Sequence, residues 1–187
     1  LAAMIFSSLK GKIAGIPLKK PVTATASVSF DIAGGVTHAD AKLGVKVPDY
    51  NVNDLSLSAD VSQNAVKQRI DIRKVTLTSP SFGLNVAVGG FAEMKQPPLS
   101  DSDVRIHFAL DYPKKTALYG PWNLSGGVFL DARMKGDLST GKAAGSLAIK
   151  NLSVTNAEPE MMLDVKNINM AFPFEYDFAF RHEGGSK

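Results

Sequence analysis

The sequence predicts an all-β protein: a mostly antiparallel curved or twisted sheet, or a two-layer β-sandwich, of about 10–12 strands with little helix. Apolar and polar residues alternate over most of the 187 residues, a pattern typical of strands with one buried and one wet face. Gly, Pro, Asn and Asp cluster between the alternating runs, where turns are expected. No stretch carries a sustained helical period.

One eight-residue pattern occurs four times. In each copy two apolar residues flank a spacer, two polar residues follow, and two more apolar residues flank a second spacer. The copies are residues 147–154, 50–57, 70–77 and 163–170. On a regular strand the doubled polar residue would turn the second apolar pair to the wrong face. Each copy therefore predicts a β-bulge, a strong twist or a break at its centre.

The first half opens with an apolar segment and continues as strands. Residues 1–9 predict a short packing helix or an opening strand, or the end of a longer export or anchor sequence. They are too few to span a bilayer, which takes a helix of about 20 residues. Alternating runs that end at Gly or Pro turns then predict strands over residues 25–32, 39–47, 55–61, 70–77 and 82–88.

A proline-rich stretch divides the chain almost evenly. Residues 94–103 contain Pro97 and Pro98 and two aspartates, a composition typical of an exposed loop. The sequence therefore predicts a single β-rich module over residues 1–187, part of a larger protein, with a division into halves 1–96 and 101–187 joined by this Pro-rich loop.

The second half repeats the same organisation. Residues 104–111 alternate cleanly, residues 113–121 contain two prolines and predict an irregular segment, and residues 124–134 predict another strand. Gly136 to Gly141 supplies the residues of a hairpin turn. The last two copies of the eight-residue pattern follow.

The final strand has the most unusual composition in the chain. Aromatic residues occupy every second position from Phe172 to Phe180, so one face of that strand is aromatic. Pro173 lies among them and has no amide hydrogen to donate, which predicts an edge strand or a strand that begins there. An aromatic strand of this kind is more often part of a core than a ligand-facing surface.

Composition argues against several classes of function. The chain has no cysteine, so it has no disulfides, thiolate metal site or cysteine nucleophile. Its net charge is +3, from 21 basic and 18 acidic residues that are interspersed. A nucleic-acid reader concentrates positive charge on one face, so no nucleic-acid partner is predicted.

The residues that carry enzyme chemistry are scattered. His38, His107 and His182 lie far apart, and a solvated pair of His38 with Asp40 is a better interpretation than a metal site. The glycines match no phosphate-binding loop, and the chain has no Gly-x-Ser-x-Gly element. We therefore predict no catalytic residues, no metal, no cofactor and no enzymatic activity.

The region 124–170 resembles the AsmA-like family of bacterial envelope proteins, which includes the TamB-type and chorein-like bridge proteins. The resemblance is carried by Leu-Ser-Gly-Gly at 124–127, Lys-Gly-Asp-Leu at 135–138, and the stretch 145–154. Residues 55–92 have a similar texture, including 72–77 before Gly89 and Gly90. These are degenerate β patterns.

The resemblance implies a non-catalytic periplasmic β-module that binds or conducts lipid acyl chains in outer-membrane lipid transport or biogenesis. It implies phospholipid or fatty acid as the partner. It also implies a location in the periplasm or cell envelope, with attachment to the envelope membranes, through an inner-membrane anchor, by parts of the protein outside this sequence.

Inward apolar positions of the predicted strands are the candidate lipid-binding residues. They share an alternating position beside polar neighbours, and no predicted helix covers them. The candidates are Leu55, Leu57, Ile70, Ile72, Leu84, Val86, Ile106, Phe108, Leu147, Ile149, Phe174, Tyr176 and Phe178. The alternative is a closed β-sandwich whose two apolar faces cover each other, acting as a structural or protein-interaction module of the envelope.

Overall fold

The computed structural model describes residues 2–9, 12–13, 16–17, 19–48, 52–94, 101–119, 122–137, 140–156 and 164–179. For the described residues before 19, and for 52, 113–119 and 164, it describes the backbone alone. The strands are β1 (Ala2–Leu9), β2 (Lys12–Ile13), β3 (Ile16–Pro17), β4 (Val22–Ala33), β5 (Val36–Val47), β6 (Val52–Asn64), β7 (Arg69–Ser79), β8 (Leu84–Glu93), β9 (Asp101–Tyr119), β10 (Trp122–Gly136), β11 (Thr140–Asn156) and β12 (Asp164–Ala179).

Ten of these strands form one antiparallel sheet in the order β1-β4-β5-β6-β7-β8-β9-β10-β11-β12. The short strands β2 and β3 pair only with each other. From β4 onward each strand pairs with its neighbour in the chain, so the sheet is a meander of hairpins. The predicted all-β, antiparallel fold is confirmed, and residues 2–9 form the predicted opening strand, which pairs with β4.

Of the two predicted architectures, the described residues adopt the open curved sheet. They form one layer, and the two-stranded β2–β3 hairpin is their only other sheet. The second layer of a β-sandwich is therefore not found among them. Strands β8 and β9 pair from Leu84 with Leu110 to Glu93 with Asp101. The two halves thus share one sheet, and the Pro-rich connection 95–100 lies outside the described residues.

Each copy of the eight-residue pattern contains a bulge, as predicted. In β7, Ile72 pairs with Gly90 and Val75 pairs with Val88, so β7 uses three residues where β8 uses two. In β11 the same happens between Ile149 and Leu152. Strands β6 and β12 gain an extra residue within their copies as well. In β7 and β11 the extra residue restores the alternation, so both apolar pairs of those two copies lie on the same face of the sheet.

Pro113 and Pro173 lie within strands and are accommodated differently. The prediction that residues 113–121 are irregular is wrong for 113–119, because β9 continues to Tyr119. A register shift between β9 and β10 spans the positions between Tyr112 and Thr116, and a bulge of this kind tolerates the missing amide hydrogen of Pro113. Pro173 lies in β12, which is an edge strand of the sheet, as predicted.

A single corner connects β7 to β8 and provides much of the tight packing. The 3-10 turn Pro80–Phe82 ends at Gly83, whose φ is +60° and whose hypothetical Cβ would lie 1.7 Å from the carbonyl oxygen of Asp111. Ser79 is only 1% exposed. Its hydroxyl donates to Oδ1 of Asp54 at 2.7 Å, which joins the corner to β6.

The sheet has very little core. Among the described residues the buried apolar side chains are Ala109 and Tyr112. Most others are half-buried or exposed, since each strand of the sheet has neighbours beside it and no second described layer packs across from it. The side chains that line the two faces of the sheet therefore decide how it meets its surroundings.

Candidate functional site

Apolar residues line up in rows that run straight across the sheet. Residues paired directly opposite each other on neighbouring strands have side chains on the same face, so the register defines these rows. The central row carries one residue from each of nine strands, and all nine are apolar: Ala26, Leu43, Leu57, Leu77, Val86, Phe108, Leu130, Leu147 and Phe172.

Two further rows on the same side are also without polar side chains over these nine strands, except for the hydroxyl of Tyr176. One contains Val28, Ala41, Ala59, Val75, Val88, Ile106, Ala132, Gly145 and Phe174. The other contains Phe30, Ala39, Val61, Ile72, Gly90, Val104, Met134, Ala143 and Tyr176. A fourth, interrupted row runs from Leu84 through Leu110, Val128 and Ile149 to Met170. We call this side of the sheet the apolar face.

The apolar face is large for a protein surface. Strands about 4.8 Å apart and rows about 6.8 Å apart give the four rows a projected area of roughly 800 Å². The largest apolar patch on a typical monomer is about 300–600 Å². Phe30, Ile32 and Tyr176 on this face are 70%, 75% and 65% exposed. Apolar patches of this size and exposure are typical of interaction surfaces.

The register brings all thirteen candidate residues of the sequence analysis onto the apolar face. Leu57, Phe174 and Tyr176 are exposed there, and the other ten are half-buried. The interpretation of the aromatic strand as a core strand is wrong, because β12 is an edge strand and Phe172 is 49% exposed.

Many residues of the apolar face were not among the candidates. The exposed large ones lie at alternating positions of β4, β10 and β12, and they are Phe30, Ile32, Met134, Met170 and Phe172. The alternation in each strand was the available signal. The pairing register between strands decides which alternating set of residues in each strand lies on the apolar face.

The opposite side of the sheet, the polar face, is built differently. Its central row reads Ser27, Lys42, Ser58, Thr76, Ala87, His107, Asp131, Ser146 and Pro173. The aromatic residues on this side have cationic partners: the guanidinium of Arg69 lies 3.9 Å from the ring centroid of Phe91, and Nζ of Lys150 lies 5.0 Å from that of Phe129. Such contacts stabilise an aromatic ring beside water.

Two groups of charged residues on the polar face form ion pairs. The guanidinium of Arg133 donates hydrogen bonds to Asp103, and this bond lowers the pKa of Asp103 despite the opposing effect of desolvation. Asp177, and then Glu175, raises the pKa of Lys142 across the β11–β12 pair. Charged side chains of this kind suit a face that contacts water.

A depression with a volume of about 680 Å³ lies on the polar face. It contains His107 and Asp131, whose Nδ1 and Oδ1 atoms are 2.6 Å apart. Ser146 lies opposite Asp131 on the next strand. The carboxylate therefore lies between the imidazole and the hydroxyl. In a nucleophilic triad the imidazole occupies the middle place and takes the hydroxyl proton, so this row does not have that arrangement.

No helix in the described part of the chain has the length and apolarity to cross a membrane. No protein-family model matches the chain, and comparison with curated proteins and with solved structures gives no significant match.

Proposed function

We propose that this chain is a non-catalytic β-module that holds lipid acyl chains, of phospholipid or fatty acid, against its apolar face. The observation that carries the proposal is the set of apolar rows that cross nine strands of a single-layer sheet. A sheet face of this kind needs a cover in water. Acyl chains supply an apolar cover that has no hydrogen-bonding requirements and adapts to a curved surface.

The energy scale fits retention of lipid. Each fully buried methylene group contributes about 0.8 kcal/mol, and a tail lying on one open face gains a part of this for every methylene that contacts the sheet. The polar face supports the same proposal, because its Ser, Thr, Asp and Lys side chains face water on the side of the sheet opposite the apolar face.

The resemblance to AsmA-like proteins agrees with this function. We propose on that basis a role in lipid transport or biogenesis of the bacterial outer membrane. The proposal includes a location in the periplasm or cell envelope and attachment to the envelope membranes through parts of the protein outside this sequence. Catalysis has no part in the proposal, because binding and conducting lipid needs an apolar surface and no reacting group.

Native mass spectrometry of protein purified without detergent, together with lipid extraction of the same sample, tests the proposal. We expect bound phospholipid or fatty acid, and rebinding of a fluorescent fatty acid after lipid removal. The variant Leu147→Asp places a charge in the central apolar row and should reduce binding at least tenfold. Ser146→Asp, one residue away on the polar face, is the matched control and should bind as the unmodified protein does.

Two results would contradict the proposal. One is a folded, lipid-free monomer that fails to bind the fatty acid. The other is equal loss of binding in Leu147→Asp and Ser146→Asp, which would mean that the lipid does not distinguish the two faces. A lipid-free dimer that dissociates when Leu147→Asp is introduced would mean that a second copy of the chain, and not lipid, covers the apolar face. That outcome would favour the interaction-module alternative.

A further inference from the structure

A histidine on the polar face lies between two carboxylates from neighbouring strands. Nε2 of His38 is 3.0 Å from Oδ2 of Asp40, two residues along β5. Nδ1 of the same ring is 3.7 Å from Oδ1 of Asp60 on β6. Asp40 and Asp60 are paired directly opposite each other, and like charges in that position are destabilising. A positive charge held between the two carboxylates would relieve this repulsion.

The contact with Asp40 favours one placement of the ring hydrogen. A neutral imidazole carries hydrogen on one nitrogen and a lone pair on the other. With that hydrogen on Nε2, the nitrogen 3.0 Å from the carboxylate of Asp40, the lone pair of Nδ1 faces Asp60. A carboxylate that orients a histidine in this way is the usual outer partner of a metal-bound imidazole.

The two atoms that face each other lack hydrogen-bond partners. Nδ1 of His38 and Oδ1 of Asp60 are both inaccessible to solvent, and neither forms a hydrogen bond. Their separation of 3.7 Å is beyond the 2.7–3.2 Å range typical of a hydrogen bond. Two ligands of a tetrahedral Zn²⁺, each about 2.1 Å from the ion, lie about 3.4 Å apart. The gap is therefore close to the size that a cation requires.

We propose that His38 and Asp60, positioned by Asp40, bind a first-row divalent transition-metal ion such as Zn²⁺. One nitrogen and one or two carboxylate oxygens from this cluster, completed by water, suit such an ion better than Ca²⁺ or Mg²⁺, which prefer oxygen ligands alone. The ion would neutralise the opposed aspartates and tie β5 to β6. The site lies on the polar face and does not depend on the proposed lipid binding.

Neighbouring charges set the strength of this site. Nε of Arg73 is 3.9 Å from Oδ1 of Asp60 and competes with the ion, but its side chain is 58% exposed and has room to move into water. Lys74 is paired opposite Asp60, and Asp31 is paired opposite His38. The bases weaken cation binding and Asp31 strengthens it, so we expect a reversible site and not a permanent structural one.

Titration of the chelator-treated full chain with Zn²⁺ by calorimetry, and with Co²⁺ by absorption spectroscopy, tests the inference. We expect one site whose affinity falls at least tenfold in His38→Ala and in the isosteric Asp60→Asn. Asp40→Asn should cause a smaller loss, because Asp40 acts through the ring of His38. His107→Ala is the matched control: its ring faces the single carboxylate of Asp131, and its removal should leave the affinity unchanged.

A second measurement needs no variant. Nitrogen NMR should show Nδ1 of His38, and not the ring nitrogens of His107, shifting on addition of Zn²⁺. Absence of that shift, or equal loss of affinity in His38→Ala and His107→Ala, would overturn the inference and leave the cluster as an ion pair between histidine and aspartate. Circular dichroism of each variant separates loss of the site from loss of the fold.

Discussion

The backbone amide of Asn151 donates a hydrogen bond to the side-chain oxygen of Asn169 on the neighbouring strand, at 2.9 Å. Asn151 is the bulged residue of β11, with φ of +50°. One strand over, Asn167 has φ of +56°, and its amide donates to the hydroxyl of Ser153 at 3.1 Å. Each bulge leaves one backbone amide outside the strand pairing, and a side chain of the adjacent strand accepts a hydrogen bond from that amide. The two bulges are therefore interlocked.

Asn169→Ala should loosen this pair of bulges. The change leaves the amide of Asn151 without its acceptor, and we expect the free energy of unfolding to fall by about 0.5–1.5 kcal/mol. Urea denaturation followed by circular dichroism measures it. Asn85→Ala, at an exposed position of β8, is the control and should change the free energy by less than about 0.5 kcal/mol. Equal effects of the two substitutions would argue against the interlock.

The bulges show how far sequence reasoning reaches here. The doubled polar residue predicts a bulge, a strong twist or a break in each copy, because apolar residues on both sides of it must share a face, and the structure adopts the bulge. Asn at the bulged position of two copies fits a left-handed backbone. The hydrogen bonds that join one bulge to the next depend on the register between strands 14–18 residues apart in the chain, and no local pattern encodes that register.

Gly126→Ala should be severely destabilising. Gly126 has φ of +92°, and a Cβ there would lie 2.3 Å from the carbonyl oxygen of Asn151. Backbone strain alone costs about 1–3 kcal/mol, and the contact adds to it because its partner is backbone. Gly89→Ala is the control, since the nearest atoms to its Cβ would be 3.6 Å away. Thermal unfolding of the two variants should differ by many degrees, and similar melting temperatures would contradict the close approach.

Asp54 should make the protein sensitive to acid. Side-chain hydrogen bonds from Ser81, and then from Ser79, lower the pKa of this carboxyl below its ordinary value of 3.8. A lowered folded-state pKa means that the stabilisation is present above pH 3.8 and is lost as the pH falls through the folded value. The corner formed by Ser79 and Ser81 should loosen over the same range.

Melting temperatures measured at stepwise lower pH check this. Asp54→Asn should be less stable than the unmodified protein at neutral pH, with a shallower decline below pH 3.8 because the titrating group is gone. Asp101→Asn removes one exposed carboxylate elsewhere and should follow the unmodified protein. Parallel curves for Asp54→Asn and the unmodified protein would assign the acid sensitivity to other groups.

The candidate surface was predictable in part. Alternation within single strands selects thirteen residues that the register places on one face. Whether a second layer covers that face is decided by long-range packing. The alternating pattern does not reveal it, because the strands of a sandwich and those of an open sheet alternate in the same way. Asp60 beside His38 was missed for the same reason, because residues 22 positions apart become neighbours only through the pairing of β5 with β6.

Substitution at the most exposed apolar positions separates binding from folding. Phe30 and Ile32 lie on the apolar face, in β4, and are 70% and 75% exposed. Because each already faces water, replacement by Asp should alter the free energy of unfolding by only about 0.5 kcal/mol. The same change removes apolar surface from the proposed binding face and adds a charge that acyl chains cannot solvate.

We therefore expect Phe30→Asp and Ile32→Asp to keep the melting temperature of the unmodified protein and to bind a fluorescent fatty acid several-fold more weakly. Val66→Asp is the matched control, since Val66 is 85% exposed and lies in the turn between β6 and β7, away from the apolar rows. Its fatty-acid affinity should not change. If all three variants bind equally well, the acyl chains do not use the β4 side of the face, and the binding surface must be confined to the strands nearer β12.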